Sequence, residues 1–502
     1  MKILLKLGNI IFGLYALMIL WNSIEYFLNS IFFKPVSLIF RISILFVLGI
    51  LFLFLIIFRN NNIKFVFLQS LNKYIKIIIF VLMIIWQIGL FVSMPIIPIA
   101  DPKNIYQIAQ GNISSELANY ISIYPNNYLM LLWEKLILNI IGNKYFLHGI
   151  IFLNLIFVDV SILLLSKLAQ KKYPSISSLV FYMAVLFVGF SPQFLQAYTD
   201  IPAFFMGTIL LYFGVQFRFE GNFKRIALFS ALFGIWIGLS YNMRVPLFIY
   251  AIAGAIVIIV AFLQSKPKNL IKCGISFLIV TSGFVSVNFL LHESLTKQQY
   301  FPYEAGMSRT LFYFVDLGLT TNGATHSELT NEVLSARDSN RNKVYLNSIK
   351  NRISNMDLTD WIDHLNNKFK ANTSEGNMGW GLEAILKEEN LIPNWFSGTI
   401  LASSLRSIVL VNFNGNYHWY TLVFQILWII IALGMVLYSA SFKIEFLSIN
   451  LWTQIIIFGG LTFLMIFEGG RSRYLIQFLP AIIWNASVGY ERFLRRKNFY
   501  VE

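Results

Sequence analysis

The chain has 502 residues, of which 57% are hydrophobic and 13% are charged, and its mean hydropathy is +0.66. Soluble domains carry about 25% charged residues, so this composition excludes a protein whose whole surface faces water. The formal net charge of +15 would favour nucleic-acid binding in a soluble protein. In a membrane protein it is typical of basic cytoplasmic loops, so we expect no nucleic-acid partner.

Apolar runs of about 17–25 residues recur along nearly the whole chain, and each could cross a bilayer as a helix. The sequence therefore predicts an all-α polytopic membrane protein surrounded by membrane lipids. Frequent Ile, Phe, Asn and Lys are typical of an AT-rich bacterial genome, which favours the bacterial plasma membrane. The predicted spans are, roughly, residues 8–30, 38–58, 77–97, 146–168, 176–192, 201–217, 226–243, 246–264, 270–291, 419–440, 448–467 and 474–491.

Basic residues orient these spans. If there are twelve, clusters such as Lys171–Lys172 and Arg495–Arg496–Lys497 fall on one side of the membrane, which the positive-inside rule assigns to the cytoplasm. Both termini are then cytoplasmic. The apolar stretch 395–412 would reverse the later loops if it were a thirteenth span, so we expect it to be an interfacial helix on the outer surface.

The chain then divides into four parts. Residues 1–76 hold two N-terminal spans, and residues 77–291 form the transmembrane core with a first outer loop at 98–145. Residues 292–397 form a mostly helical extracytoplasmic segment. Residues 398–502 hold the interfacial helix and the last spans.

The two outer parts have helical patterning of their own. In the first outer loop, helices are predicted from about Pro102 to Gln110 and from Asn127 to Ile141. In the extracytoplasmic segment, the stretch "NRNKVYLNSIKNRISNMDLTDWIDHLNNKFKAN" repeats apolar residues at helical spacing. It predicts two or three amphipathic helices.

Acidic and basic residues collect at the outer ends of separated spans. They are Asp101 after the third span, Asp200 in "YTDIPAFF", Arg244 in "SYNMRVPLF", and Glu468, Arg471 and Arg473 in "FEGGRSRYL". The planar arginine fork binds two phosphate oxygens at once, which favours a lipid-phosphate site. An aspartate at the same face could accept a proton from a hydroxyl group.

Each of these residues also has a purely structural interpretation. Asp101 followed by Pro102 is an ordinary helix start, with Asp as the N-cap and Pro at the first helical position. The paired arginines could anchor the helix end at the lipid headgroups, with Tyr474 in an aromatic belt. The motif "YPNNY", with Tyr124 and Asn126, could be a substrate-facing turn or ordinary turn chemistry.

Other polar residues point to no metal or disulfide. His292, His326, His364 and His418 lack metal-ligand spacing, so no metal site is predicted and no cofactor is required, although a divalent metal is possible. The single cysteine, Cys273, cannot form an internal disulfide. Asp159 lies in the middle of a span, where it could belong to a proton path; a buried hydrogen bond that joins helices is the favoured interpretation.

This arrangement resembles the GT-C superfamily of membrane glycosyltransferases, which use polyprenyl-phosphate sugars. The superfamily includes protein mannosyltransferases and the aminoarabinose transferase of lipid A, and the resemblance covers most of the chain from about residue 77. It lies in the early acidic residue, the helical first loop, the "YTD" turn and the late "E…R-Y-L…P" element. The elements "YFVDLGL…G" (313–323), "IKNRI" and "EGNMGWG" (375–381) look more specifically like uncharacterised integral membrane proteins of lactobacilli and streptococci.

The resemblance implies a GT-C-like core and a sugar transferase of the cell envelope. It makes Asp101 the catalytic residue that accepts the acceptor's proton, and Asp200 a second acidic residue near the lipid phosphate. Arg471 and Arg473 would hold that phosphate, with Arg244 as a helper. Further substrate contacts would come from Glu468, Tyr474, Tyr124 and Asn126. The acceptor is an envelope glycan, a glycolipid or a protein.

Two departures from the family are present. Asp101 is followed by Pro102 where protein mannosyltransferases have an Asp-Glu pair, which leaves the acceptor class open, and two spans precede the usual first one. A transporter or flippase for a lipid-linked saccharide is the main alternative, with Asp159 as a coupling residue. Against this alternative, the sequence has no visible repeats related by pseudo-symmetry. A noncatalytic envelope assembly factor would leave the Asp and Arg residues without a role.

Overall fold

The computed structural model describes residues 2–32, 65–216, 222–264 and 270–496, apart from 116, 322, 324, 382–385, 387, 412–415 and 446–447. The predicted span at 38–58 lies outside the described residues. Every other predicted span coincides with a helix. The α-helices are α1 (Lys2–Tyr26), α2 (Phe65–Ser93), α3 (Asp101–Ala109), α4 (Tyr120–Ile123), α5 (Tyr128–Ile141), α6 (Phe146–Lys172), α7 (Ser177–Ala184), α8 (Asp200–Gln216), α9 (Phe223–Met243), α10 (Ile249–Gln264), α11 (Leu270–Lys297), α12 (Leu311–Gly318), α13 (Asn331–Ser335), α14 (Arg341–Asn355), α15 (Leu358–Thr373), α16 (Ile400–Val409), α17 (Tyr417–Ala440), α18 (Ile449–Phe467) and α19 (Leu479–Arg496).

The protein is an all-helical polytopic membrane protein. Within the described residues, eight helices are long and apolar enough to cross a membrane. They are α1 together with the π-helix Phe27–Phe32 that follows it, the last 21 residues of α2, and α6, α9, α10, α11, α17 and α18. Two of the other predicted spans, at 176–192 and 201–217, are shorter apolar helices. The total of twelve spans therefore stays a prediction.

Apolar side chains fill the inside of the bundle and also cover much of its outside. Trp428 and Trp484 are fully buried, whereas Trp21, Ile85 and Phe277 are each more than 60% exposed. Exposed aromatic and aliphatic side chains on helices are stable in contact with lipid tails, which are as apolar as they are. This distribution is the one expected of spans whose backbone polar groups are satisfied within each helix.

The first helix belongs to the bundle. It packs along α17, where Asn9 donates a hydrogen bond to the carbonyl of Ser439 at 3.0 Å and Ser439 Oγ donates to the carbonyl of Asn9 at 3.1 Å. Gln454 of α18 donates to Asn9 Oδ1 at 3.2 Å. Inter-helix hydrogen bonds of this kind fix helix register in an apolar environment. The N-terminal helix is thus held against the C-terminal ones.

An irregular stretch connects α7 to α8. The regular α-helical hydrogen bonds are interrupted by the π-helix Val185–Gly189 and the 3-10 helix Pro192–Leu195. Pro192 also has no N–H to donate. Neighbouring side chains satisfy the freed carbonyls: Trp86 donates to the carbonyl of Phe190 at 2.9 Å, and Gln87 donates to that of Gly189 at 3.0 Å. Such irregular backbone is tolerated in membrane proteins where it is buried in protein.

The helices predicted in the two long non-spanning parts are confirmed. In the first loop they are α3 and α5. The long segment, residues 292–397, contains α12 to α15, and its own small core consists of Tyr313, Leu317, Leu329, Val333 and Tyr345. The apolar stretch that was expected to be interfacial contains α16, whose Arg406 is buried and donates to the carbonyls of Ser93 and Ser397.

Candidate functional site

The site is centred on Asp200, the first residue of α8. This carboxylate is 1% exposed, and it lies 2.7 Å from Nη1 of Arg244 and 4.0 Å from Nη1 of Arg473. Among the described residues, neither carboxylate oxygen has a hydrogen-bond partner of good geometry. Asp200 is therefore held by charge between two arginines from different parts of the chain.

Local sequence places both arginines at this end of the bundle. Arg244 follows the last residue of α9, because Pro246 two residues later disfavours continuation of the helix. Arg473 lies in the 3-10 helix Ser472–Phe478, which packs on α8 at Gly207. A Cβ atom at Gly207 would lie 2.8 Å from the carbonyl oxygen of Gln477, so a larger residue would push the arginine turn away.

The arginine side chains also stack on aromatic rings. The guanidinium carbon of Arg473 is 5.5 Å from the ring centre of Tyr198 and 5.5 Å from that of Tyr474. Arg244 lies 4.9 Å from the ring centre of Tyr474. Cation–π contacts of this kind hold guanidinium groups in place. Tyr474 thus orients two arginines of the site.

Glu468 lies among basic residues without pairing with one of them. Burial raises its pKa, and Arg244, Arg471, Arg473 and Lys368 lower it in that order. Among the described residues, no basic group is within the 4.0 Å ion-pair distance of its carboxylate. The carboxylate therefore lies within the electrostatic influence of four basic groups.

Asp101 is held by side chains of the first loop. Its Oδ1 accepts a hydrogen bond from the Tyr120 hydroxyl at 3.0 Å, and that hydroxyl accepts one from Asn127 Nδ2 at 2.8 Å. Burial raises the pKa of Tyr120, with further contributions from Tyr198 and Asp101, so the phenol stays a proton donor. The chain of hydrogen bonds fixes the orientation of the aspartate.

The helix-cap interpretation of Asp101 is wrong. Asp101 is the first residue of α3, and the N-cap is Ala100, with no side-chain hydrogen bond at the cap. Ala100 has a φ of 57°, which is unfavourable for a residue with a Cβ atom. Strain of this kind is found at functional sites, where the surrounding structure maintains it.

Electrostatics links Asp101 with the arginine cluster. Burial raises the pKa of Tyr198, Asp101 raises it further, and Arg473 and Arg244 lower it. Tyr198 therefore lies within the electrostatic range of both groups. His326, from the long segment, shows the same influences. Burial lowers its pKa, Arg471 lowers it further, and Asp101 raises it.

The remaining predicted contacts lie farther out. Tyr124 stacks on Arg309, with 4.7 Å between the ring centre and the guanidinium carbon. Asn126 is exposed, whereas its neighbour Asn127 is buried and binds Tyr120. The structure thus brings together the acidic and basic candidates with Tyr474, places Tyr124 at the edge, and leaves Asn126 at the surface.

Asp159 lies in a contact between two helices. Asp159, in the middle of α6, accepts a hydrogen bond from Gln87 of α2 at 3.0 Å, a contact that joins two helices. No group of three or more His, Cys, Asp or Glu residues in the described part of the chain is arranged to hold a metal ion.

Sequence reasoning missed Tyr120, Asn127, Tyr198 and Lys368. Asn127 and Tyr198 lie in the motifs "YPNNY" and "AYTD", which had drawn attention for a neighbouring residue. Tyr120 and Lys368 have no such motif. Their roles depend on contacts across 19 residues, for Tyr120 with Asp101, and 50 residues, for Lys368 with Gly318.

The fold and site define a multi-span helical membrane protein with a buried ionic cluster at one end of the bundle. Residues 2–493 match a family described as conserved hypothetical integral membrane proteins, and the chain belongs to this family. No curated protein matches the chain. Among solved structures, ArnT from Cupriavidus metallidurans in the apo state is similar, with 12% identity and a TM-score of 0.32. The match covers 85% of this chain and 78% of that one.

Proposed function

We propose that this protein is a GT-C-type membrane glycosyltransferase. It moves a sugar from a polyprenyl-phosphate donor to a cell-envelope acceptor at the outer face of the bacterial plasma membrane. One observation carries the proposal: Asp200, Arg244 and Arg473 come from separated chain segments and meet at one end of the bundle, and Glu468 and Asp101 lie within electrostatic range of this group. In this proposal Asp101 is the proton acceptor and the arginines bind the anion.

Each part of the site has a task in the reaction. Arg471 and Arg473 bind the donor phosphate, because guanidinium groups match its oxygens and stabilise the charge that develops on it as the bond breaks. Asp200 keeps Arg473 and Arg244 in place. Glu468 accepts hydrogen bonds from sugar hydroxyls in the space between the basic residues.

The reaction is a displacement at the anomeric carbon. The acceptor oxygen forms a bond to this carbon while the bond from the carbon to the phosphate oxygen breaks. The polyprenyl phosphate leaves with the electron pair of that bond. The acceptor hydroxyl gives its proton to Asp101, whose orientation is fixed by Tyr120.

The donor and the site are matched in position. A polyprenyl chain stays in the bilayer, so its phosphate lies at the membrane boundary, where α2, α9 and α18 end. The acceptor, an envelope glycan, glycolipid or protein, approaches from the water side, between the first loop and the long segment. With the termini in the cytoplasm, this end faces outward.

The transport alternative is less well supported. It assigns coupling to Asp159, whose carboxylate is engaged with Gln87 in a contact between helices. The charged residues of the described spans otherwise collect at helix ends, as the Asp200 group does. A binding site for transport would instead be expected near the middle of the bilayer.

The replacement of Asp101 by Asn tests the proposal. It removes the proton acceptor while keeping the shape of the side chain, and Tyr120 can still donate to the amide oxygen. We expect sugar transfer to fall by about 100-fold or more, with donor binding unchanged. The measurement is the transfer of labelled sugar from polyprenyl phosphate in membranes that contain equal amounts of each protein.

Asp159→Asn is the matched control, because it neutralises a half-buried aspartate outside the site. Near-normal transfer by this variant, together with loss in Asp101→Asn, supports the glycosyltransferase. Normal transfer by Asp101→Asn removes Asp101 as the base. Loss confined to Asp159→Asn favours transport.

A further inference from the structure

A buried lysine of the long segment lies beside the ionic cluster. Lys368 of α15 is 1% exposed, and its Nζ donates a hydrogen bond to the carbonyl of Gly318 at 2.9 Å. Gly318 is the last residue of α12, and a Cβ atom there would lie 3.3 Å from the carbonyl oxygen of Ile466. Two helices of the long segment therefore bring the amine to the end of α18, next to Glu468.

The charge of this lysine is only partly compensated. An ammonium group has three N–H donors, and within the described residues Nζ makes one hydrogen bond. Burial lowers the pKa of Lys368 to about 8, although Glu468 attracts the charged form. The two groups are not within ion-pair distance in the described structure. A buried ammonium with spare donors is costly unless a further acceptor joins it.

The same helix also holds the arginine turn. Asn372, one helical turn after Lys368, donates to the carbonyl of Lys368 at 3.0 Å and accepts the backbone N–H of Arg471 at 3.1 Å. Glu375 then accepts a hydrogen bond from the hydroxyl of Ser472 at 3.2 Å. The side chain of Lys368 reaches the same place, since a Cβ atom at Gly323 would lie 3.1 Å from its Cε atom and 3.1 Å from the backbone nitrogen of Gly470. The amine therefore lies beside the residue that precedes the turn 471–473.

We propose that Lys368 is a phosphate-binding residue of the donor site, supplied by the long segment. This inference rests on the proposed function and adds a residue to its site. The ligand is a phosphate group at the membrane boundary, which accepts hydrogen bonds from Nζ and from the arginine turn together. The long segment then completes the anion site that the spans begin.

Binding of farnesyl phosphate to the purified full-length protein in detergent tests this role. Lys368→Met keeps most of the buried stem and removes the ammonium, so we expect roughly tenfold weaker binding from the loss of a charge-assisted hydrogen bond. Lys370→Met is the matched control. Lys370 lies on the same helix but pairs with Glu25 at 2.9 Å, so its loss should leave binding unchanged.

The pH dependence gives a second readout that a structural role would not produce. The charged and titratable groups facing Lys368 are Glu468 across the site and His364 on its own helix. Because the amine loses its proton above about pH 8, wild-type binding should weaken between about pH 7 and about pH 9. Lys368→Arg stays charged over this range and should bind with a flat profile.

Competing ligands and a second variant complete the experiment. Inorganic phosphate that competes as well as farnesyl phosphate would assign the site to free phosphate, whereas farnesol should not compete. Normal binding by Lys368→Met, with loss in the Arg471→Ala, Arg473→Ala double variant, overturns the role of Lys368 alone. Normal binding by that double variant as well overturns the donor site of the proposed function.

Discussion

Helix α18 has a buried ionic cluster at each end, and the two clusters differ in construction. At its start, both carboxylate oxygens of Glu445 accept hydrogen bonds: Oε1 from Arg492 at 2.6 Å, and Oε2 from Asn450 at 2.8 Å. The Asn450 Oδ1 atom in turn accepts from Trp484 at 3.0 Å. One acid and one base are thus joined in a network that includes Asn450 and Trp484.

The cluster at the other end of α18 contains more basic groups than acidic ones. Asp200 is held by two arginines at 2.7 and 4.0 Å, without hydrogen bonds of good geometry in the described residues. Glu468 is influenced by four basic residues and is within ion-pair distance of none of those described. A one-to-one ion pair supported by hydrogen bonds stabilises a fold, whereas an excess of basic groups around two carboxylates is suited to bind an anion. We therefore infer a structural role for the cluster at the start of α18 and a ligand-binding role for the cluster at its end.

Among the changes that test this division of roles, the largest expected effect is on phosphate binding when Arg473 is replaced. Arg473→Ala removes a fork that can make two charge-assisted hydrogen bonds to phosphate, so farnesyl phosphate binding should weaken by about 100-fold. Arg473→Lys should restore binding only in part, because a point charge loses the two-pronged geometry. Because Asp200 keeps its pair with Arg244 at 2.7 Å, the loss of stability should be smaller than that in Arg492→Met. Equal binding by the Ala and wild-type proteins would place the phosphate elsewhere.

The opposite pattern is expected for Arg492. Arg492→Met leaves the Glu445 carboxylate without its charged donor, which should lower the free energy of unfolding by about 2–3 kcal/mol. Farnesyl phosphate binding by the remaining folded protein should be unchanged. Denaturant unfolding in mixed micelles measures the first quantity. A loss of binding without a loss of stability would contradict the division of roles between the two ends.

A smaller effect is expected from Tyr120, which orients Asp101. Tyr120→Phe removes the hydroxyl that Asp101 and Asn127 share, so the rate of sugar transfer should fall by about tenfold. Donor binding should be normal, because the contacts described for Tyr120 are with Asp101, Asn127 and Tyr124 and not with Arg471 or Arg473. Single-turnover transfer rates separate the two effects. Unchanged rates would show that Asp101 needs no orienting partner.

The smallest expected effect concerns acid stability and Glu468. Burial raises the pKa of Glu468, so between its ordinary pKa of 4.5 and the raised value the folded state binds a proton that the unfolded state lacks. The free energy of unfolding should therefore decrease as pH rises through this interval. Glu468→Gln should flatten that dependence in thermal melts. A wild-type stability that increases with pH over the same interval, unaltered in the Gln variant, would contradict it.

Much of the fold was predictable because the solvent of a span is lipid. Long apolar runs must satisfy their backbone polar groups internally, so they form helices, and the structure has a helix in every predicted span that it describes. Charged residues are costly in lipid, so Asp200, Arg244 and Arg473 at helix ends were recognisable from chain position alone.

The sequence by itself determined the helical class and the approximate ends of the helices. Only the tertiary structure decided the partners of the charged groups. Helical periodicity could not show that α15 leaves Leu358 and Ile362 exposed while it buries Lys368 beside Glu468. Nor could the motif "DPKN" show that Asp101 binds Tyr120 instead of capping its own helix. Local sequence sets hydrogen bonds along the chain, whereas contacts between distant residues depend on how the helices pack.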